Sequence, residues 1–249
     1  MSAGGPPAPG GAPPLGGAAR PEPAGAARPE PGPSAAALAA ELGDRLPPAD
    51  SVPAEALALT ARVRELVEAA VLTDVPPADL ALAAERVAAV TELLRGRQRD
   101  HLHLVRHPDG RVESLRQAGS GRLNPQAPPI EWLDRPTEPP PGSPPRPVEV
   151  RARCTFGAAH GGSPGRVYGG VVAVVLDEVT GVALRAAGAT GLTVALNVAL
   201  RAAVPLGVTV EVAARYTGGE GRKSFATGEL TVGGAVAARA ETVWVAPRS

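Results

Sequence analysis

Cysteine and aromatic residues are nearly missing from this sequence. Of its 249 residues one is cysteine, two each are Phe, Tyr and Trp, and Lys223 is the only lysine. A single cysteine, Cys154, excludes an intrachain disulfide and any cysteine-rich zinc site. So few rings leave no stacking platform for bases, and a formal net charge of zero removes the general electrostatic argument for nucleic acid or an anionic membrane. The local basic run "RGRQRD" at 95–100 has no aromatics interleaved with it. No apolar run approaches the roughly 20 residues of a membrane span, and the N-terminus lacks the basic and apolar regions of a signal peptide. The expectation is a cytoplasmic protein with neither a nucleic-acid nor a membrane partner.

What is present is unevenly distributed. Residues 1–54 are almost entirely Ala, Pro, Gly and Glu, too poor in large apolar side chains to offset the entropy of ordering, and read as a disordered tail. Across 55–73, Leu57, Ala61, Arg64, Val67 and Val71 recur near helical spacing, with Leu66 and Ala70 widening the stripe. Asp74, Pro76 and Pro77 then supply turn and capping chemistry ahead of a second face of Leu80, Ala84, Val87, Val90 and Leu94. A helical hairpin over 55–107 follows, then a linker over 108–147. Within these, "HLHLVRHPDGRVESL" suggests a β-hairpin about its Asp-Gly, and "DRPTEPPPGSPPRP" (134–147) an extended, semi-rigid stretch. His101, His103 and His107 have no acid or cysteine cluster beside them, so neither a metal nor another cofactor is expected.

Residues 148–249 carry the core pattern. "VEVRARCTFG" alternates Val148, Val150, Ala152, Cys154 and Phe156 against polar neighbours, the mark of a half-buried strand. Cys154 lies among those apolar partners and reads as a core residue. The next segment, "RVYGGVVAVVLDEVTG" (166–181), is ambiguous by propensity, since four of the six residues after the glycine pair are valines. Length decides. From Gly169 to Gly188 is far beyond a strand of about 5–6 residues, so the segment reads as a helix stopped at Gly188. Ala173, Asp177, Thr180 and Gly181 then share a small or polar face, with Val172, Val175, Leu176, Val179 and Val182 opposite. Four strand-like runs follow, at 191–205, 207–218, 222–232 and 235–246, broken by "VPLG", "GGEG" and "VGG", and they suggest an antiparallel four-strand meander. The class is α+β: one long central helix wrapped by a curved antiparallel sheet, the hotdog architecture.

Three segments in this order resemble hotdog-fold acyl-CoA thioesterases of the phenylacetate-pathway (PaaI) type. They are Gly169–Gly170 with Asp177 seven residues later, "TVALNVALRAAVPLG" (193–207), and "GRKSFATGEL" (221–230). "GRLNPQAPPI" (121–130) and "GSPGRVYGG" are similar to segments ahead of the core in bacterial members. The resemblance covers about residues 120–249 and implies thioester hydrolysis in a homodimer or homotetramer. Two positions depart from it. Tyr168 stands where the family most often has histidine, and Ala202-Ala203 where it usually has Arg-Pro.

The residue chemistry agrees. Unpaired N–H groups at a helix start, with glycines permitting close approach, suit Gly169 and Gly170 to an oxyanion role. Asp177 in an apolar helix suits general base or nucleophile, and the resemblance gives Thr193 the hydroxyl that orients water. Tyr168 can hydrogen-bond a substrate but supplies no imidazole. Arg222 and Lys223 offer cations for the phosphates of coenzyme A or simply a solvated turn, and Asn197 offers pocket or strand hydrogen bonding. Glu178 reads as a solvent or ion-pair neighbour of Asp177, and "GGSPG" lacks the ending of a phosphate loop. Gly169 and Asp177 lie eight residues apart on one helix, about 12 Å along its axis, too far to serve one carbon. The glycines of one chain must therefore meet the acid of another, a homodimer with shared sites. The rivals are an acyl-thioester hydratase, whose usual histidine the helix and strands lack, and a non-catalytic acyl-CoA-binding or regulatory protein.

Overall fold

The computed structural model describes residues 42–98, 103–140 and 142–246. Most of the tail, 1–41, and His101 lie outside them. Within the span read as a tail, short 3₁₀ turns occupy Gly43–Arg45 and Ala49–Ser51, and Leu46 is buried.

Two helices come first, α1 (Ala54–Leu72) and α2 (Pro77–Arg95). Proline at the start of α2 fits because the first-turn N–H groups have no intrahelical acceptor. The β-hairpin about Asp109-Gly110 forms, as β1 (Leu104–Arg106) and β2 (Val112–Ser114), with Gly110 at φ +85°. β1 thus falls inside the span assigned to the helical hairpin. The span assigned to a linker is also more structured than its composition suggests. It holds β2, a tight loop at 115–127, and a strand, β3 (Ile130–Asp134), that joins the main sheet. Beyond Asp134 the described residues of the Pro-rich stretch form no helix or strand, and they close the C-terminal end of the central helix. There Arg146 N–H donates to Ala187 O at 3.0 Å, and Pro139 packs on Gly188.

The core is a six-stranded antiparallel sheet wrapped on α3 (Gly169–Ala186). Its strands are β3, β4 (Glu149–Thr155), β5 (Leu192–Leu200), β6 (Thr209–Glu220), β7 (Lys223–Val232) and β8 (Ala235–Val245), in the order β3-β4-β6-β7-β8-β5. The expected four-strand meander is therefore corrected to three strands, β6-β7-β8, with β5 paired to β8 on the far side. "VPLG" is not a hairpin turn. The chain from 201 to 207 crosses beneath the start of α3, fixed by Val167 N–H to Val204 O (2.8 Å), Leu206 N–H to Gly165 O (3.0 Å) and Gly207 N–H to Phe156 O (2.8 Å).

Valine-rich as it is, α3 is helical because nearly all of it is buried. Val172, Val175, Leu176, Val179, Val182, Ala183 and Ala186 are at most 1% exposed, and each large apolar side chain so buried contributes about 1.5–3 kcal/mol, more than a valine's helix penalty. Gly188 at φ +89° ends it, with Ala189 N–H donating to Leu184 O and Gly188 N–H to Arg185 O, the paired bonds that satisfy a helix's last carbonyls. Cys154 is buried in β4, and burial pushes its thiol up to about 12, so it is no thiolate at neutral pH.

The small-residue face of α3 also needs correcting. Thr180 and Gly181 are buried by the chain's own sheet. Thr180 packs on Gly228, and a Cβ on Gly181 would come 2.9 Å from the Trp244 indole. That indole is held in turn, its N–H donating to Thr242 Oγ1 at 2.9 Å. Gly181→Val should therefore cost about 1–3 kcal/mol of overpacking, against a few tenths gained in helix propensity. A thermal midpoint lower by roughly 3–10 °C is the expected result; an unchanged midpoint would show that Trp244 can move aside.

Candidate active site

The open face of α3 is Gly170, Ala173, Val174 and Asp177, at helical spacing i, i+3, i+4, i+7. Alongside lies β5, an edge strand exposed over most of its length, with Leu192 57%, Val194 60% and Leu200 56% accessible. An apolar edge beside an apolar helix face leaves both unpaired hydrogen-bonding groups and hydrophobic surface facing outward.

Asp177 is half-buried on this face. Thr193 Oγ1 donates to its Oδ1 at 3.1 Å, and Oδ2 has no donor among the described residues. Thr193 reaches the helix because β5 carries a bulge. The register with β8 shifts between Thr193 and Ala195, leaving Val194 as the extra residue. Thr193 pairs with Trp244, and Leu196, Val198 and Leu200 pair with Thr242, Ala240 and Ala238, so all four lie on the sheet face toward α3. Bulges recur beside functional groups because they re-aim one side chain without moving the strand. Burial raises the carboxyl of Asp177 above its ordinary value; the Thr193 hydrogen bond opposes this, the charge of Glu178 adds to it, and Arg185 opposes it.

The glycine pair opens the helix as expected. Tyr168, extended at φ −65° and ψ 132°, is the N-cap, and its carbonyl accepts from Val171 and Val172. The N–H groups of Gly169 and Gly170 have no acceptor among the described residues. A Cβ on Gly169 would lie 2.7 Å from Leu200 Cδ1, and one on Gly170 2.7 Å from Tyr168 Cε1. Tyr168 itself is 62% exposed.

Other expected site residues are not gathered here. Asn197 pairs with Glu241 on the sheet face turned away from α3, opposite to Thr193, because the bulge at Val194 reverses the alternation. Arg222 is engaged as a latch: its Nε and Nη2 donate to Ala246 O at 3.1 and 2.6 Å, tying the turn before β7 to the end of β8. Lys223 is exposed at the start of β7 and contacts no site residue through a hydrogen bond or ion pair among the described residues. His107 is paired with Glu113 at 2.7 Å, and no group of three metal-binding side chains occurs among the described residues. No helix there is long and apolar enough to cross a membrane.

Glu178 is not a solvent neighbour. It is 6% exposed and anchors the 115–127 loop, accepting from Gln117 Nε2 at 2.5 Å and Ser120 Oγ at 2.7 Å, with Arg185 at 3.7 Å. Gly119 presses on it so closely that a Cβ would meet Oε2 at 2.5 Å. Its partners are 61 and 58 residues away in sequence, and no local pattern announces them. Glu178→Gln should have two effects. Loss of its charge lowers the Asp177 carboxyl, moving the acid limb of the activity profile to lower pH. Loss of one acceptor costs about 1–3 kcal/mol, read as a lower melting temperature. An acid limb at the same pH would mean that the two carboxylates do not couple.

This sheet, helix and connectivity are the hotdog fold. No family model matches the sequence, and no curated protein matches it. Solved structures do. A protein described as a thioesterase superfamily protein aligns at 25% identity and TM-score 0.65 over 80% of this chain and 93% of its own. The elements from Glu149 to Val245 make up less than half of the chain, so that alignment extends into the helices and loops ahead of them. A putative thioesterase, phenylacetic acid degradation-related, from Ralstonia eutropha JMP134 aligns at 24% identity and TM-score 0.37, over 39% of this chain and 76% of its own. A hypothetical thioesterase with coenzyme A from Streptococcus pneumoniae TIGR4 aligns at 14% and 0.41, over 48% and 90%. The chain thus has the hotdog fold of thioesterase superfamily proteins, and a thioesterase-type activity is the general function that the likeness at TM-score 0.65 supports.

Proposed function

We propose that the protein hydrolyses acyl-CoA thioesters to free acid and coenzyme A in the cytoplasm, as a homodimer with two sites, without metal or cofactor. The observation that carries this reading is Asp177. A carboxyl raised by burial, tethered through one oxygen to Thr193 and open at the other, is suited to take a proton from water or attack the thioester carbon. The free N–H groups at the start of α3 are suited to the oxyanion, where one donor is worth about 3 kcal/mol. They stand about 12 Å from Asp177 along one helix, so the two functions meet only if helices of two protomers run past each other. The exposed edge of β5 and the face of Gly170, Ala173 and Val174 supply the surface for that pairing. Lys223 remains available for a coenzyme A phosphate; Arg222 and Asn197 are better read as structural.

Release of free thiol from a panel of acyl-CoAs by the full chain tests the reading. Turnover of at least one, lost in Asp177→Asn, is expected; tight binding without turnover would instead favour an acyl-CoA-binding role. Tyr168 favours that second reading, because a phenol stands exposed at the helix mouth where the resembling family most often has imidazole.

A further inference from the structure

Glu68 belongs to α1, about a hundred residues before the acid on α3. Its carboxylate accepts two consecutive backbone N–H groups, Ala158 to Oε1 at 2.6 Å and Ala159 to Oε2 at 3.0 Å. These belong to the single 3₁₀ turn Ala158–His160, whose first amides have no acceptor within the turn. Gly157 is pressed against the same carboxylate: a Cβ there would lie 2.7 Å from both oxygens. Both donors favour the charged form and hold the Glu68 carboxyl below its ordinary range, so it is a two-oxygen acceptor at neutral pH.

The loop beyond this turn doubles back onto the start of α3. Gly162 N–H donates to Arg166 O at 3.0 Å, Gly161 bridges Val167 in antiparallel fashion, and Tyr168 N–H donates to His160 O at 2.9 Å. Tyr168 is the N-cap residue, one position before Gly169. An unbroken path of hydrogen bonds therefore runs from the α1 carboxylate through the turn to the helix start. The imidazole of His160 faces Phe156, ring centroids 5.7 Å apart, so its contribution on this path is its carbonyl.

We infer that Glu68 is a positioning residue: by clamping the 158–160 turn it fixes the Tyr168–Gly170 backbone, and so the direction of the free N–H groups at the start of α3. This gives α1 a role in the site. It rests on the hydrolase reading above, in which those N–H groups meet the oxyanion. A displacement of about 1 Å in such donors can cost about 10²-fold in rate, so a surface carboxylate can matter without touching substrate.

Glu68→Ala, Glu68→Asp and Glu68→Gln in the full chain test this through steady-state kinetics, backbone amide exchange and thermal melting. For Glu68→Ala, kcat should fall about 10- to 100-fold with KM nearly unchanged. Exchange at the hydrogen-bonded amides between Ala158 and Tyr168 should quicken about tenfold or more while the middle of α3 stays protected. Glu68→Gln, keeping one acceptor oxygen, should lie between Glu68→Ala and wild type, and Glu68→Asp, one methylene short, should recover part of kcat. Unchanged exchange at Tyr168, whose N–H donates to His160 O, would break the link itself. Faster exchange or a lower melting temperature with kcat unchanged would make Glu68 merely structural. If the wild type cleaves no acyl-CoA, it is the hydrolase reading that fails, and the exchange data still decide whether Glu68 holds the helix start.

Discussion

Asp177→Asn is expected to lower acyl-CoA hydrolysis by about 10²–10⁴-fold, the range for a general acid or base, and to leave the fold intact. Asparagine keeps the oxygen that accepts from Thr193, so the local geometry survives while the basicity of the free oxygen is lost. The wild-type profile of kcat/KM should rise with pH through an acid limb above the ordinary carboxyl value, since burial raises this group. Stability should respond with the opposite sign. A carboxyl raised in the folded state binds more protons there than in the unfolded chain, between its ordinary and its raised value. Its contribution is therefore most favourable below that window and diminishes as pH rises through it. Removing the ionisable group removes that loss. At pH 7 Asp177→Asn should melt at the same temperature as wild type or higher, as expected where a site stores destabilisation for function. Full activity in the variant would end the assignment, whatever the melting data show.

The sequence made the central helix readable through length and glycine punctuation rather than propensity. Four valines argued for a strand, and only the run from Gly169 to Gly188 decided otherwise. The resemblance gives Thr193 a water-orienting hydroxyl, but its contact with Asp177 is not legible in the sequence, because it depends on a bulge no spacing reveals. With strict alternation, Thr193 and Asn197 would share a face; the extra residue at Val194 separates them and turns Asn197 away from α3. The place of β5 was unreadable for a related reason. Antiparallel pairing of β5 with either β6 or β8 satisfies the same hydrophobic pattern, and the crossover at 201–207 decides between them through backbone bonds that any residue type can make. The links through Glu68 and Glu178 span long sequence separations, and each alone looks like an ordinary helix charge.

Proline at the start of α3 carries the second large effect. The first turn of a helix tolerates proline, whose missing N–H would be unpaired there in any case. Tyr168 already has the extended ψ of 132° that a following proline requires. Gly169→Pro thus deletes one candidate donor with little disturbance to the helix, the Leu200 side-chain tip moving to admit the ring. Gly170→Pro deletes the other but places a proline after helical Gly169 and requires the exposed Tyr168 ring to swing aside. At least one of them should lose about 10²–10³-fold in kcat, the value of one oxyanion donor. Shared sites then make a sharper demand. Mixed with Asp177→Asn, the impaired proline variant should regain activity, because a heterodimer joins the intact glycines of one protomer to the intact acid of the other. Random pairing gives half heterodimers with one working site of two, so about a quarter of wild-type activity should return. Sites contained within single chains would give no recovery at any mixing ratio. Recovery is therefore decisive for whether Gly169–Gly170 and Asp177, about 12 Å apart on one helix, act together across two.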